Sequence, residues 1–183
     1  SCTNAIIFCN RKMDVDVVAK SLKAHGFNAS PIHGDLDQSV RTKTLDGFRD
    51  GSVHLLVASD VAARGLDIPA VSHVFNFDVP SHPEDYVHRI GRTGRAGRLG
   101  KAYSIAVPSD DKYINAIEHL VKMPIPRGDV PEGALEGASA SDRPERPREE
   151  RGSSSSRSRS GSSRSRDRAP REVKAVAVAA APV

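Results

Sequence analysis

Three short segments of this 183-residue chain gather the side chains able to do chemistry. The densest is His88-Arg89-Ile90-Gly91-Arg92-Thr93-Gly94-Arg95, with four cationic or potentially cationic groups in eight residues. Arg89, Arg92 and Arg95 recur every three residues, a spacing that predicts one broad direction on a helical turn and its exit. Three like charges on one face repel unless an anion sits among them. A guanidinium stays charged at any usable pH, and its rigid fork of donors matches phosphate oxygens. The segment therefore implies a grip on phosphate, either of a nucleotide or of a nucleic-acid backbone.

The second segment runs from Ala58 to Pro69 and leaves an apolar run at its carboxyl end. Ala62, Ala63 and Gly65 are small enough for a ligand or another backbone to approach closely. Ser59, Asp60, Arg64 and Asp67 supply a hydroxyl, two acceptors and a cation. The alternative is a turn held by an internal Asp–Arg pair. The third segment is His33-Gly34-Asp35, followed by Gln38 and Arg41. Gly34 exposes backbone N–H groups and the helix start beyond it offers an anion site. A plain helix cap and a phosphate contact are both open there.

Two motifs are missing from the sequence. No G-x-x-x-x-G-K-[ST] loop occurs; the nearest approach, Gly100-Lys101, has Arg95 at the position of the first glycine and Ala102 where magnesium needs a hydroxyl. No Asp-Glu pair suited to a metal occurs either. If Arg92 and Arg95 serve a nucleotide, another domain must hold most of it. That is the arginine-finger arrangement, in which a cation crosses an interface to stabilise a transferring phosphoryl group.

The elements that must position these groups alternate strand and helix. Ala5–Cys9 is a continuous apolar run, as in a strand buried on both faces. Asn10 is placed to cap a helix over residues 12–25, with Val15, Val18, Ala19 and Leu22 inward and Gly26 as its stop. Strands follow near 29–32, 53–58, 71–77 and 102–107. Helices are expected over 38–49, with Val40, Leu45 and Phe48 inward and Gly51 as the stop, over 83–90, and over 110–121, with Ile114, Ile117 and Val121 inward. Such alternation predicts an α/β fold, a parallel sheet covered on both faces. Ligands of such sheets bind at the carboxyl ends of strands, which is where the polar loops fall.

The length suggests one domain over 1–124 and a tail over 125–183. Through residue 126 there are 15 basic and 14 acidic residues; beyond it there are 12 and 9. Residues 152–168 are Ser/Arg low complexity, a composition that buries too little apolar area to offset ordering entropy and reads as disordered. The Ala/Val-rich end, 173–183, reads as a loose tail, with a nascent helix or a partner contact as alternatives. Cys2 and Cys9 have no zinc spacing, and Cys9 ends an apolar run, so both fit a reducing, cytoplasmic setting. No apolar stretch approaches the roughly 18 residues of a membrane span. The start, Ser1-Cys2-Thr3, enters a strand almost at once and suggests a piece of a longer protein.

Taken in order, Ile6-Ile7-Phe8-Cys9-Asn10, His33-Gly34-Asp35, Gln38-x-x-Arg41, Phe48-x-x-Gly51, Ser59-Asp60-x-Ala62-Ala63-Arg64-Gly65-x-Asp67 and His88 to Arg95 resemble the C-terminal RecA-like lobe of a bacterial DEAD-box RNA helicase. The resemblance covers about residues 5–121. Related DNA helicases usually carry a Gln-rich variant in place of His88-Arg89-Ile90-Gly91, and bacterial members often end in a basic or low-complexity tail. The position of Ser59 is more often Thr in the family, so a hydroxyl remains.

The resemblance implies that Arg92 and Arg95 are catalytic fingers on ATP held, with Mg2+, by an N-terminal lobe that this chain lacks. Gly65 and Asp67 would line the nucleotide, with Asp67 accepting from its ribose, and Arg64 and His88 would couple the lobes. Asn10, Arg11, Gly34, Asp35, Gln38, Arg41 and Ser59 would lie along the RNA backbone or support loops that do. None is an aromatic base reader, as suits backbone recognition without sequence preference. The alternatives are a non-enzymatic RNA-binding module and a lobe of a related DNA helicase. The chain alone is expected to hydrolyse nothing, and no membrane partner is implied.

Overall fold

The computed structural model describes residues 2–64, 66–94 and 100–128, and the backbone of 174–179. Its order is β1 (Ala5–Cys9), α1 (Lys12–Ala24), β2 (Ala29–Ile32), α2 (Gln38–Asp50), β3 (Leu55–Ser59), α3 (Asp60–Arg64), β4 (His73–Asn76), α4 (Pro83–Ile90), β5 (Lys101–Ala106), a 3-10 turn (Pro108–Asp110), α5 (Asp111–Val121) and β6 (Lys174–Ala179). The strands lie side by side as β2-β3-β1-β4-β5-β6. The first five are parallel, with Ile7 opposite Val57 on one side and Phe75 on the other. This is the expected α/β architecture.

β1 is central and every one of its residues is buried. Its alternate side chains feed two cores. Ile6 and Phe8 pack with Leu45 and Phe48 of α2, Ala63 of α3 and Ile90 of α4. Ile7 and Cys9 pack with Val15 and Ala19 of α1. The chain therefore leaves β1 toward one face and its neighbour β3 toward the other. That divergence opens the crevice at which parallel sheets of this kind bind ligands.

The helix ends follow local chemistry. Gly26 adopts φ +82; its N–H donates to Lys23 O and the N–H of Phe27 to Leu22 O, a Schellman closure that glycine accepts without strain. Gly51 closes α2 with φ 85. Two expectations fail. Asn10 does not cap α1, because Arg11 occupies the N-cap and the Asn10 amide is committed elsewhere. Val40 is not inward: it is 44% exposed, lying about 140° around the helix from Leu45. The short α3 was not expected from the sequence.

A third cluster joins Val79, Tyr86, Ala106, Ile114 and Ile117, and Ile125 belongs to it at 7% exposure. The packed unit thus extends one residue past the expected boundary at 124. Residues 174–179, read as a loose tail, form a strand antiparallel to β5, with Ala177 opposite Tyr103. An Ala/Val stretch suits pairing on the open edge that β5 presents. The Ser/Arg segment, 152–168, lies outside the described residues.

Candidate functional site

Arg89 organises the carboxyl ends of the strands. It is 1% exposed, although it sits in the most cationic segment of the chain. Its Nε and NH2 donate to the two carboxylate oxygens of Asp60, both at 2.6 Å. NH2 also donates to Asn10 Oδ1 at 2.7 Å, and NH1 donates to Asp78 O at 2.8 Å and to Asn76 Oδ1 at 3.4 Å. The guanidinium carbon lies 5.3 Å from the centre of the Phe8 ring. A guanidinium has five N–H donors, and five acceptors surround this one. The expected common direction of Arg89, Arg92 and Arg95 is therefore corrected: Arg89 turns inward, and its anion is Asp60 rather than a phosphate.

The same contacts decide between the readings of residues 58–69. Asp60 and Arg64 do not pair internally. Asp60 pairs with Arg89, and Arg64 pairs with Asp85. Asp60 and Arg64 are four residues apart on α3; Asp85 and Arg89 are four apart on α4. The two helices are clasped by two ion pairs of alternating sign, one pair almost sealed from water. Asp85 is the more buried member of the second pair, while Arg64 remains half exposed.

Arg92 follows α4, which ends at Ile90. Its NH2 reaches back toward Ala63 O of α3 at 3.4 Å. The backbone around it is fixed: Val71 N–H donates to Arg92 O at 3.0 Å, and the buried Thr93 hydroxyl donates to Val71 O at 2.6 Å. Gly94 adopts φ 68. A Cβ on Gly100 would lie 2.2 Å from Thr93 Oγ1 and 2.4 Å from Gly94 N, so position 100 has no room for a side chain. The fold thus presents Arg92 from a hydrogen-bonded stem beside the end of α3. Gly65 and Arg95 lie outside the described residues.

A second group forms between α1 and α2. His33 is buried, and its Nδ1 accepts the Asp35 N–H at 3.3 Å, so Nε2 carries the proton that reaches Asp16 Oδ1 at 3.1 Å. Lys12 Nζ lies 2.6 Å from Asp35, and its donated hydrogen bond holds that carboxyl below the ordinary 3.8. Arg41 NH1 donates to Gln38 Oε1 at 3.0 Å. Asp37, not Asp35, is the N-cap of α2, and it makes no side-chain cap bond. Gly34 is open, with nothing within 4 Å of the position a Cβ would take.

The remaining expected residues are separate from these groups. Asp67 has a side chain 98% exposed; Arg49 of α2 donates to its carbonyl at 2.8 Å and to its carboxylate at 3.3 Å. Arg11 and His88 are exposed, and Ser59 is buried at the end of β3. Cys9 lies beneath the site, and burial, with Asp78 and Asp14 nearby, pushes its thiol up to about 12. Among the described residues no group of three His, Cys, Asp or Glu is arranged to hold a metal ion.

Sequence reasoning missed Asn76, Asp78 and Ser104, which complete the site. Asn76 is 1% exposed and its Nδ2 donates to Ser104 Oγ at 2.9 Å; Asp78 accepts the Asn10 N–H at 3.1 Å. The signal was available: an amide inside an apolar strand must find buried partners. Asp16, Lys12 and Asp85 were also missed, because each is defined by a partner distant in sequence.

Comparison with known proteins extends this geometry. Residues 1–97 match the helicase conserved C-terminal domain family. The chain is 50% identical over 135 residues to the DEAD-box ATP-dependent RNA helicase CshA of Bacillus subtilis, a match covering 73% of this chain and 27% of that protein. It spans about a quarter of the length of the curated relatives it matches. Among solved structures it is similar to the E. coli DEAD-box protein SrmB bound to regulator of ribonuclease activity A, with 41% identity and a TM-score of 0.64 over 67% of this chain and 72% of that one. It is also similar to a S. cerevisiae Dbp5 variant bound to RNA and ADP BeF3, with 40% identity and a TM-score of 0.59 over 64% of this chain and 32% of that one. Family match, identity and fold agree with one another: this chain belongs to the helicase conserved C-terminal domain family and is a DEAD-box C-terminal lobe.

Proposed function

We propose that this chain is one half of an ATP-dependent RNA helicase, acting in the cytoplasm with an N-terminal lobe supplied by the longer protein. The observation that carries the reading is the placement of Arg92 beside the end of α3, on a backbone held by the hydrogen bonds around Thr93. A guanidinium held on a fixed stem costs little reorganisation when negative charge develops near it. Arg95 would act with it. The donors at this edge fit a phosphate chain, and the open carboxylate of Asp67 fits a ribose hydroxyl. ATP and Mg2+ bound to the partner lobe would supply the transferable phosphoryl group and its neutralising metal; Arg92 and Arg95 would stabilise its charge from this side.

RNA would lie along the edge formed by Arg11, Gly34, Asp35, Gln38 and Arg41, close to Asn10 and Ser59. His33 and Asp16 hold the Gly34–Asp35 turn in place, while Gly34 leaves room for a sugar-phosphate backbone. Arg64 and His88, exposed on α3 and α4, would meet the other lobe. The Dbp5 relative whose structure holds RNA and ADP BeF3 supports both ligand classes. Cleft closure around ATP and RNA would couple turnover to local strand separation.

The test is ATP hydrolysis by the full-length protein with single-stranded RNA, DNA or neither. The account expects stimulation by RNA and little by DNA, and no hydrolysis by residues 1–183 alone. Equal stimulation by DNA would favour the DNA-helicase reading; turnover by the isolated chain would contradict the divided site.

A further inference from the structure

Asn10 is placed by its position to touch RNA, and its side chain, on an exposed residue, is anchored within the fold. Its Nδ2 donates to Val79 O at 3.0 Å and its Oδ1 accepts from Arg89 at 2.7 Å. Arg89 in turn lies three residues before Arg92 and fixes α4 to α3 through Asp60. The backbone N–H of Asn10 donates to Asp78 Oδ2, and Asp78 O accepts from Arg89, so the same acidic residue closes a ring through both. The loop after β1, where Arg11 is exposed, is thereby tied to the stem that carries Arg92.

We infer that Asn10 and Arg89 are positioning residues that couple occupancy of the loop after β1 to the placement of Arg92, with Asn10 acting through its bond to Arg89. The inference rests on the helicase reading above. A shift of the Asn10–Arg11 loop on an RNA backbone changes the Asn10–Arg89 hydrogen bond directly. With Asp60 gripping the other side of the guanidinium, that change falls on α4 and the segment leaving it. RNA stimulation of hydrolysis then passes through one amide.

The two roles for Asn10 separate in steady-state kinetics of the full-length protein. Asn10→Ala removes the acceptor for Arg89. As a positioning residue, its loss lowers RNA-stimulated kcat about tenfold at saturating RNA and leaves the RNA concentration for half-maximal stimulation within about twofold. Asn10→Asp restores the acceptor for Arg89 but loses the donor to Val79 O, so it recovers part of the lost kcat. As an RNA ligand, Asn10→Ala would instead raise half-saturating RNA with kcat kept, and Asn10→Asp would be worse, since its carboxylate faces phosphate. Arg89→Lys, which keeps the charge but not the fork, shows the same kcat loss as Asn10→Ala in the soluble folded fraction. Wild-type kcat in Asn10→Ala, or a shift in half-saturating RNA alone, overturns the inference while leaving the helicase reading intact. Absence of RNA stimulation in the wild type overturns both.

Discussion

Arg89 and Asp60 meet fork to fork, with two donors at 2.6 Å from two carboxylate oxygens, on a guanidinium that is 1% exposed. A largely buried pair of this kind, with only the Asp60 side reaching solvent, holds mainly because each charge satisfies the other. Removing one member leaves a buried charge without its counterion. The pair belongs to the architecture of the site, and that shapes what each mutation near it should do.

Arg89→Met is expected to destabilise the lobe by about 3 kcal/mol, since Asp60 would lose its partner and the Asp78 and Asn76 acceptors would lose theirs. Arg64→Met, which breaks the exposed-side pair with Asp85, should cost under about 1 kcal/mol. Chemical denaturation of the two variants checks the ranking. Equal losses would contradict the assignment of one sealed and one solvated clasp.

Ile125 is 7% exposed against Ile117, Tyr86 and their neighbours. Ile125→Ala should cost about 2–4 kcal/mol. A chain ending at residue 124 should melt lower than one ending at 128, by more than the loss of three flexible residues explains. Identical melting temperatures would place the domain boundary back at 124.

How much of this was legible beforehand divides along the range of the interactions. Strands such as Ala5–Cys9 and helices such as Pro83–Ile90 announce themselves, because apolar runs and 3.6-residue stripes are local signals. Gly26 and Gly51 marked helix ends for the same reason. The motif order gave the family. Arg89 did not announce its direction: a run of arginines reads as an anion site until the fold shows that Asp60, 29 residues away in sequence, lies against one of them. Asn10 likewise read as a cap because its real partners, Val79 and Arg89, are 69 and 79 residues distant. Val40 was misplaced because an apolar side chain at a helix start carries little information about which face the core selects.

His73 stacks with Phe75 and Tyr103, at 6.1 and 6.3 Å between ring centres. Burial, with Lys101 nearby, holds its imidazolium below the ordinary 6.5. The folded state therefore prefers neutral His73, and the unfolded chain takes up the proton first as pH falls. Its contribution is complete above about pH 6.5 and is lost as pH drops below that value. Melting temperatures of wild type and His73→Gln, compared between about pH 7.5 and pH 5.5, should diverge, with wild type losing more on acidification. Parallel losses would show that other groups dominate.

The segment beyond residue 128 has 11 basic and 9 acidic residues, half of the chain's net +4, and five arginines and one acid fall between 152 and 168. Each phosphate it neutralises adds about 0.7 to the slope of log affinity against log salt on single-stranded RNA. Truncating the full-length protein after Gly128 should weaken RNA binding at low salt and flatten that slope. An unchanged slope would exclude an electrostatic role for the tail.

The central claim is that this lobe completes a divided ATPase site from Arg92 and Arg95. The most direct measurement is RNA-stimulated ATP hydrolysis by full-length Arg92→Ala and Arg95→Ala, with folding checked by thermal melts. Loss of a finger arginine is worth on the order of 10³-fold or more in turnover. The account predicts a loss of that order in both variants, with melting temperatures near wild type. Turnover close to wild type in either variant would contradict the account.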